Sequence, residues 1–148
     1  MKIIFAAIIG MTLGALWLYA PPMSAERRAW ELMRPRSYSF EFRYTCFCPG
    51  SGAWWRISVR DESALYYRLV EPSQLTGHFP ALQSPPIQLP SLSTIFDDIA
   101  QRGSGSTYYR VKYDPRWHFP IYASGDRVLW TDSYWTMSVR NFHPDPKR

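Results

Sequence analysis

The sequence predicts an α+β domain: an antiparallel sheet of about six strands with two helices on one face, ordered helix, three strands, helix, three strands. Three observations predict it. Tyr38, Phe40, Phe42, Tyr44 and Cys46 alternate with Ser39, Glu41, Arg43 and Thr45, the period of a half-buried strand. Leu92, Ile95, Phe96 and Ile99 recur at the spacing of one helical face. Short turn-forming clusters join neighbouring strand-like runs, which favours antiparallel pairing.

The chain opens on Ile3 to Ala20, eighteen uncharged residues between Lys2 and Pro21-Pro22. As a helix they reach about 27 Å, close to the hydrocarbon thickness of a bilayer. Residues 1–23 are therefore expected to be a signal peptide or signal anchor, with the membrane engaged through residues 3–20. Cleavage after Ala20 places Leu18 and Pro21 at unfavourable positions, and cleavage after Ala25 does the same with Met23. No cysteine lies near enough for a lipid anchor. The arginines at 27, 28, 34 and 36 oppose Lys2 by the positive-inside count, whereas the short basic start and the cysteine pair favour export. Export is the expectation, to the cell envelope, anchored in the inner membrane or released to the periplasm. Gly10 and Gly14 have the spacing of close-packed membrane helices, but apolar leaders are commonly rich in small residues.

A single domain is expected over residues 24–143, with 144–148 a frayed tail. Ser24 can cap a short helix running to Met33, with Ala29, Trp30 and Met33 on one face and Pro35 as its stop. The first strand, Ser37 to Cys46, leads into Pro49-Gly50-Ser51-Gly52, a turn by composition. Trp55, Ile57 and Val59 oppose Trp54, Arg56, Ser58 and Arg60 on a second strand. Asp61-Glu62-Ser63 turns the chain into a third, Leu65 to Val70. Five prolines between Glu71 and Pro90 predict an irregular surface excursion. Ser91 caps the second helix, which ends near Gly103 and Gly105. Strands follow at Thr107–Tyr113, at Ile121–Ala123 with Val128–Thr131, and at Tyr134–Asn141. The two halves share this layout and their aromatic alternation, the trace a duplication would leave.

Composition narrows the function classes. Aromatic residues make up 17% of the chain and charged residues 20%, so the body has the material for a core and disorder is not its default. The net charge of +5 becomes +4 without the first 25 residues, because only Lys2 is lost. No basic run of the kind found in nucleic-acid arms is present, and most aromatics share the parity of the core rather than of the cations. No nucleic acid is expected as a partner. Phosphate loops, zinc-protease helices and serine-nucleophile elbows are all missing from the sequence, so no enzyme activity and no cofactor are expected. Asp97-Asp98 read as solvated helix charges. Asp114, Asp126 and Asp132 read as turn residues that a cation site could also use.

Cys46 and Cys48 leave three chemistries open. An oxidising compartment favours a disulfide across the single intervening residue, for which Pro49-Gly50 can supply the kink. A redox pair lacks the helix N-terminus that usually lowers a thiol pKa, and His78, His118 and His143 have no ligand spacing to the cysteines, so no metal is expected. A redox- or metal-linked site at this turn stands as the alternative function.

Trp30, Tyr38-Ser39-Phe40, Cys46-Phe47-Cys48-Pro49, Ile95-Phe96, Tyr113-Asp114-Pro115, Phe119-Pro120 and Asp132 together resemble the bacterial family called domain of unknown function 6174. The resemblance spans most of Trp30 to Phe142. It implies an exported or lipid-anchored protein and implies no activity. His118 departs from it, standing where that family tends to have Gly, and the stretch from Glu71 to Pro90 looks enlarged.

The polar parity of the strands gathers Arg43, Arg56, Arg60, Arg68, Arg110, Lys112 and Arg140, with Glu41 nearly alone against them. Such a face attracts lipid headgroups, or accepts an acidic protein or glycan. Strands with one buried face also expose Arg and Lys simply for solubility and edge protection. The function expected from these readings is an envelope-exposed, non-enzymatic domain that binds a protein or an anionic envelope component.

Overall fold

The computed structural model describes residues 24–46, 51–73, 90–106, 108–126 and 134–145. Within them the elements run α1 (Ala25–Met33), β1 (Ser37–Thr45), β2 (Trp54–Arg60), β3 (Ser63–Glu71), α2 (Leu92–Ser104), β4 (Tyr108–Tyr113), β5 (Pro120–Asp126) and β6 (Trp135–Pro144). The strands form one antiparallel sheet in the order β3-β2-β1-β6-β5-β4. The architecture is α+β. The N-terminal apolar segment, the cleavage question, Val128–Thr131 and most of the proline-rich stretch lie outside the described residues.

Each helix starts where a serine can satisfy its free N–H groups. Ser24 Oγ accepts from Arg27 N at 3.1 Å, and Ser91 Oγ from Thr94 N at 3.2 Å. Tyr38 adds a tertiary cap to α2: its hydroxyl accepts from Leu92 N at 3.2 Å and donates to Glu62 at 3.3 Å. Helix α1 ends at Met33, two residues before Pro35, as the sequence leads one to expect. Of the face expected on α1 only Trp30 is buried; Met33, at the last helical position, is 42% exposed.

Trp30 sits edge-on to Tyr38, Phe119 and Phe142, and Leu92, Ile95, Phe96 and Ile99 all face the same core. The strand alternation delivers Tyr38, Phe40, Phe42, Trp55, Ile57 and Val59 to that core from the sheet. Both helices therefore lie on one side. Trp30 Nε1 donates to Ser93 Oγ at 3.2 Å, and Arg27 pairs with Asp97, so the helices also touch each other.

This arrangement argues against a rotated duplicate. The triplets 3-2-1 and 6-5-4 have the same left-to-right order but opposite strand directions, since β1 and β6 are antiparallel. A rotation that superposes them must exchange the faces of the sheet and carry the two helices to opposite sides. They are on the same side.

Three backbone features shape the site. Asp61 and Glu62 both have positive φ, 49° and 62°, making a two-residue hairpin turn whose twist suits the flanking strands. Arg36 grips Asp61, and Arg34 pairs with Glu62 at 2.7 Å. The third feature is a bulge: between Ser39 and Glu41, β6 spends two residues, Asn141 and Phe142, opposite Phe40 alone. Asn141 takes φ 52° there, a conformation that Asn tolerates better than most residues.

Candidate functional site

On the face of the sheet opposite the helices, the register lines side chains into rows. Arg68, Arg56, Glu41 and Arg140 are successive cross-strand neighbours on β3, β2, β1 and β6. The next row runs Glu71, Trp54, Arg43, Ser138, Tyr122 and Lys112 across all six strands. Thr45, Thr136, Ser124 and Arg110 make a third. Strand parity carries Arg60 to this face too, at the end of β2. All seven basic residues expected on one face are thus on one face.

They are not equivalent. Glu41 is the organising group, only 2% exposed although it points away from the core. Its carboxylate accepts from Arg56 Nη2 at 2.5 Å, Arg140 Nε at 2.8 Å and Asn141 Nδ2 at 3.0 Å. The β6 bulge is what brings both Arg140 and Asn141 onto it. Burial pushes the Glu41 carboxyl up, but the hydrogen bonds from Arg140, Arg56 and Asn141 outweigh burial and hold it below its ordinary value. Arg140 reaches on to Glu71. Its guanidinium carbon also lies 3.9 Å from the Trp54 ring centroid, and that of Arg43 lies 4.5 Å from it.

The centre of the face is therefore an interlocked unit in which Glu41 and Glu71 hold Arg56 and Arg140, while Arg43, stacked on Trp54, pairs with no carboxylate among the described residues. Free positive charge sits toward its two edges. Arg60 and Arg68 on one side and Arg110 and Lys112 on the other are exposed, and none pairs with a carboxylate among the described residues. Arg68 stands directly opposite Arg56, whose charge is already answered by Glu41.

Trp54, Glu71 and Asn141 complete the unit, and parity-based reading of the basic residues alone passes over them. One signal was present: in the pair Trp54-Trp55, one ring must face away from the core on any strand. Nothing local in the sequence indicates the bulge that recruits Asn141.

The other candidates resolve differently. Cys46 N donates to Ser51 Oγ at 2.9 Å, and Gly52 N closes the turn onto Tyr44 O at 2.8 Å. Cys48 and His78 lie outside the described residues, and the cysteine pairing with them. Among the described residues no three His, Cys, Asp or Glu side chains gather as a metal site would need. Asp114 Oδ1 accepts from Arg116 N at 2.9 Å and Trp117 N at 2.7 Å, which is turn chemistry. Asp97 and Asp98 are bound by Arg27 and Arg102. Asp132 is outside the described residues.

Residues 23–144 match the model of a family described as Family of unknown function (DUF6174), and the chain belongs to that family. No curated protein matches the chain, and no solved structure does.

Proposed function

We propose that this member of the family is a non-enzymatic binding domain exposed at the cell envelope, and that its helix-free sheet face engages an anionic surface. The observation that carries this reading is the division of charge on that face. Glu41 locks Arg56 and Arg140 together at the centre, while Arg60, Arg68, Arg110 and Lys112 are exposed around it and pair with no carboxylate among the described residues. A preorganised centre with free cations at its margins suits a broad anionic surface better than a small ligand. The uncharged stretch Ile3 to Ala20, read as a membrane helix, supports placement beside headgroups, where each nearby basic residue is worth about 1 kcal/mol.

The test compares charge-matched variants of the full chain in neutral detergent on a sulfated-polysaccharide column. Replacing Arg60, Arg68, Arg110 and Lys112 by Gln is expected to lower the eluting salt concentration well below wild type. Replacing Arg28, Arg34, Arg36 and Arg116 by Gln removes the same charge elsewhere and is expected to lower it much less. Equal shifts would reduce the effect to net charge and end this reading. Envelope exposure further predicts a Cys46–Cys48 disulfide, seen as two sulfurs protected from alkylation until reduction in protein from its native host. Freely alkylated thiols would place the domain in a reducing compartment.

A further inference from the structure

The helix-free face changes character along the sheet. Over β1 and β2 its ring and arginines are engaged: Trp54 stacks with Arg43 and Arg140, and Glu41 and Glu71 hold Arg56 and Arg140. Over β4, β5 and β6 the same face is made of hydroxyls, tyrosine rings and exposed cations. Arg110 stands opposite Ser124, Lys112 opposite Tyr122, and Tyr122 opposite Ser138. The Tyr122 hydroxyl is hydrogen-bonded to Ser124 and to Tyr134, so the Tyr134 side chain, just before β6, reaches across this face. Those bonds, with the nearby charges of Arg110 and Lys112, hold the Tyr122 phenol below its ordinary value. Tyr108 shares the parity of Arg110 and Lys112; it is 50% exposed, and Tyr134 is 52% exposed. From the Tyr108–Asp126 row to the Lys112–Tyr122 row, the described residues put no aliphatic side chain on this half of the face.

We propose that this half of the face binds an acidic glycan, a sugar chain carrying carboxylates; the proposal rests on the anionic-surface reading above and names its ligand. Chemistry selects that ligand. Hydroxyls outnumber cations here, and a hydroxyl both donates and accepts, as the hydroxyls of a sugar do. The exposed rings of Tyr108 and Tyr134 combine apolar area with a polar tip, which suits the C–H face and hydroxyl rim of a pyranose. Arg110 and Lys112, alternate residues of β4, stand about 7 Å apart along the strand and supply the charge for carboxylates. Asp126, opposite Tyr108, disfavours negative charge at that end, so the carboxylates belong beside Arg110 and Lys112. A bilayer fits less well, because no aliphatic side chain is there to enter its apolar layer. A nucleic-acid strand, with an acceptor-only phosphate at every residue, calls for a denser line of cations.

The full chain in neutral detergent is titrated with an oligogalacturonate, with inorganic polyphosphate of equal charge standing in for phosphate headgroups, and with oligothymidylate. The oligogalacturonate is expected to bind tightest. Replacing Tyr108 and Tyr134 by Ser is expected to weaken it about tenfold and to leave polyphosphate within about twofold of wild type. Replacing the same pair by Phe keeps the rings and is expected to weaken the oligogalacturonate by no more than about threefold. Replacing Arg110 and Lys112 by Gln is expected to weaken both anions. Ser variants that bind both anions as wild type does, or lose both equally, overturn the glycan assignment and leave the anionic-surface reading standing. Tighter binding of polyphosphate or of oligothymidylate does the same. Gln variants that bind every anion as wild type does overturn both.

Discussion

The Glu41 carboxylate and the Arg140 guanidinium lie 99 residues apart in the chain and meet at 2.8 Å on the helix-free face of the sheet. The contact joins the two central strands, β1 and β6, and so ties the first half of the domain to the last element. With Arg56 and Asn141 on the same carboxylate, it makes a buried polar group a fastener between segments that share no local connection.

Removing the charge of Glu41 tests that role. Glu41→Gln keeps the shape but leaves Arg56 without a counter-charge and Arg140 with Glu71 alone. Breaking a buried pair typically costs about 3–5 kcal/mol; here both guanidinium groups are about a third exposed, so a loss of about 2 kcal/mol is expected. Urea denaturation of the two proteins at neutral pH measures it.

The same group sets an acid limit. Hydrogen bonds hold the Glu41 carboxyl low against its burial, and Ser93, Arg34 and Ser91 do the same for Glu62, again against burial. A carboxyl depressed by folding stabilises the native state fully above its unfolded value, about 4.3, and that contribution is lost as pH falls through the folded value. Denaturation midpoints are expected to be level from neutral down to about pH 6 and to fall steeply below about pH 5. Glu41→Gln should show a shallower fall; an identical slope would show that Glu41 contributes nothing to it.

Trp30 is the aromatic hub between α1 and the sheet, fully buried against Tyr38, Phe119 and Phe142. Trp30→Ala is expected to cost about 3–5 kcal/mol, the range for a large ring deleted from a core. Trp30→Phe should cost distinctly less, losing the bond to Ser93 and part of the volume. Thermal unfolding ranks the three proteins.

The backbone at His118 accounts for the Gly that the family resemblance implies at this position. Its φ is 61°, in the left-handed region, while its N–H donates to Asp114 O at 3.0 Å. His118→Gly is expected to leave stability unchanged or raise it by up to about 1 kcal/mol, because relief of strain competes with a more flexible unfolded chain. His118→Val, branched at Cβ, should lower it by about 2 kcal/mol. Calorimetry of both variants distinguishes a strained backbone from a required imidazole, since loss of stability in the Gly variant would point to the side chain.

The turn after β1 gives a further check. Gly52 has φ 85°, and a Cβ placed there would stand 2.8 Å from Ser73 Oγ. Gly52→Ala is expected to destabilise by about 1–2 kcal/mol, read from the same denaturation curves.

Much of this protein was legible in one dimension. The alternation of Tyr38, Phe40 and Phe42 and the helical spacing of Leu92, Ile95, Phe96 and Ile99 report burial directly, because side-chain direction repeats every two residues in a strand and about every 3.6 in a helix. The caps at Ser24 and Ser91 and the turn at Asp61-Glu62 are likewise local, since each satisfies backbone groups a few positions away. Parity even collected the seven basic residues on one face. What the sequence could not determine was which of those charges remain free. That depended on β6 returning beside β1, and on one extra residue at Asn141 that turns Arg140 and Asn141 onto Glu41. Strand order and bulges are settled by contacts between distant segments, whose energies appear only once the whole sheet has closed on its core. The residues for the face were written along the chain; only the tertiary structure decided that Arg56 and Arg140 are tied to carboxylates at its centre while Arg60, Arg68, Arg110 and Lys112 stand exposed toward its edges.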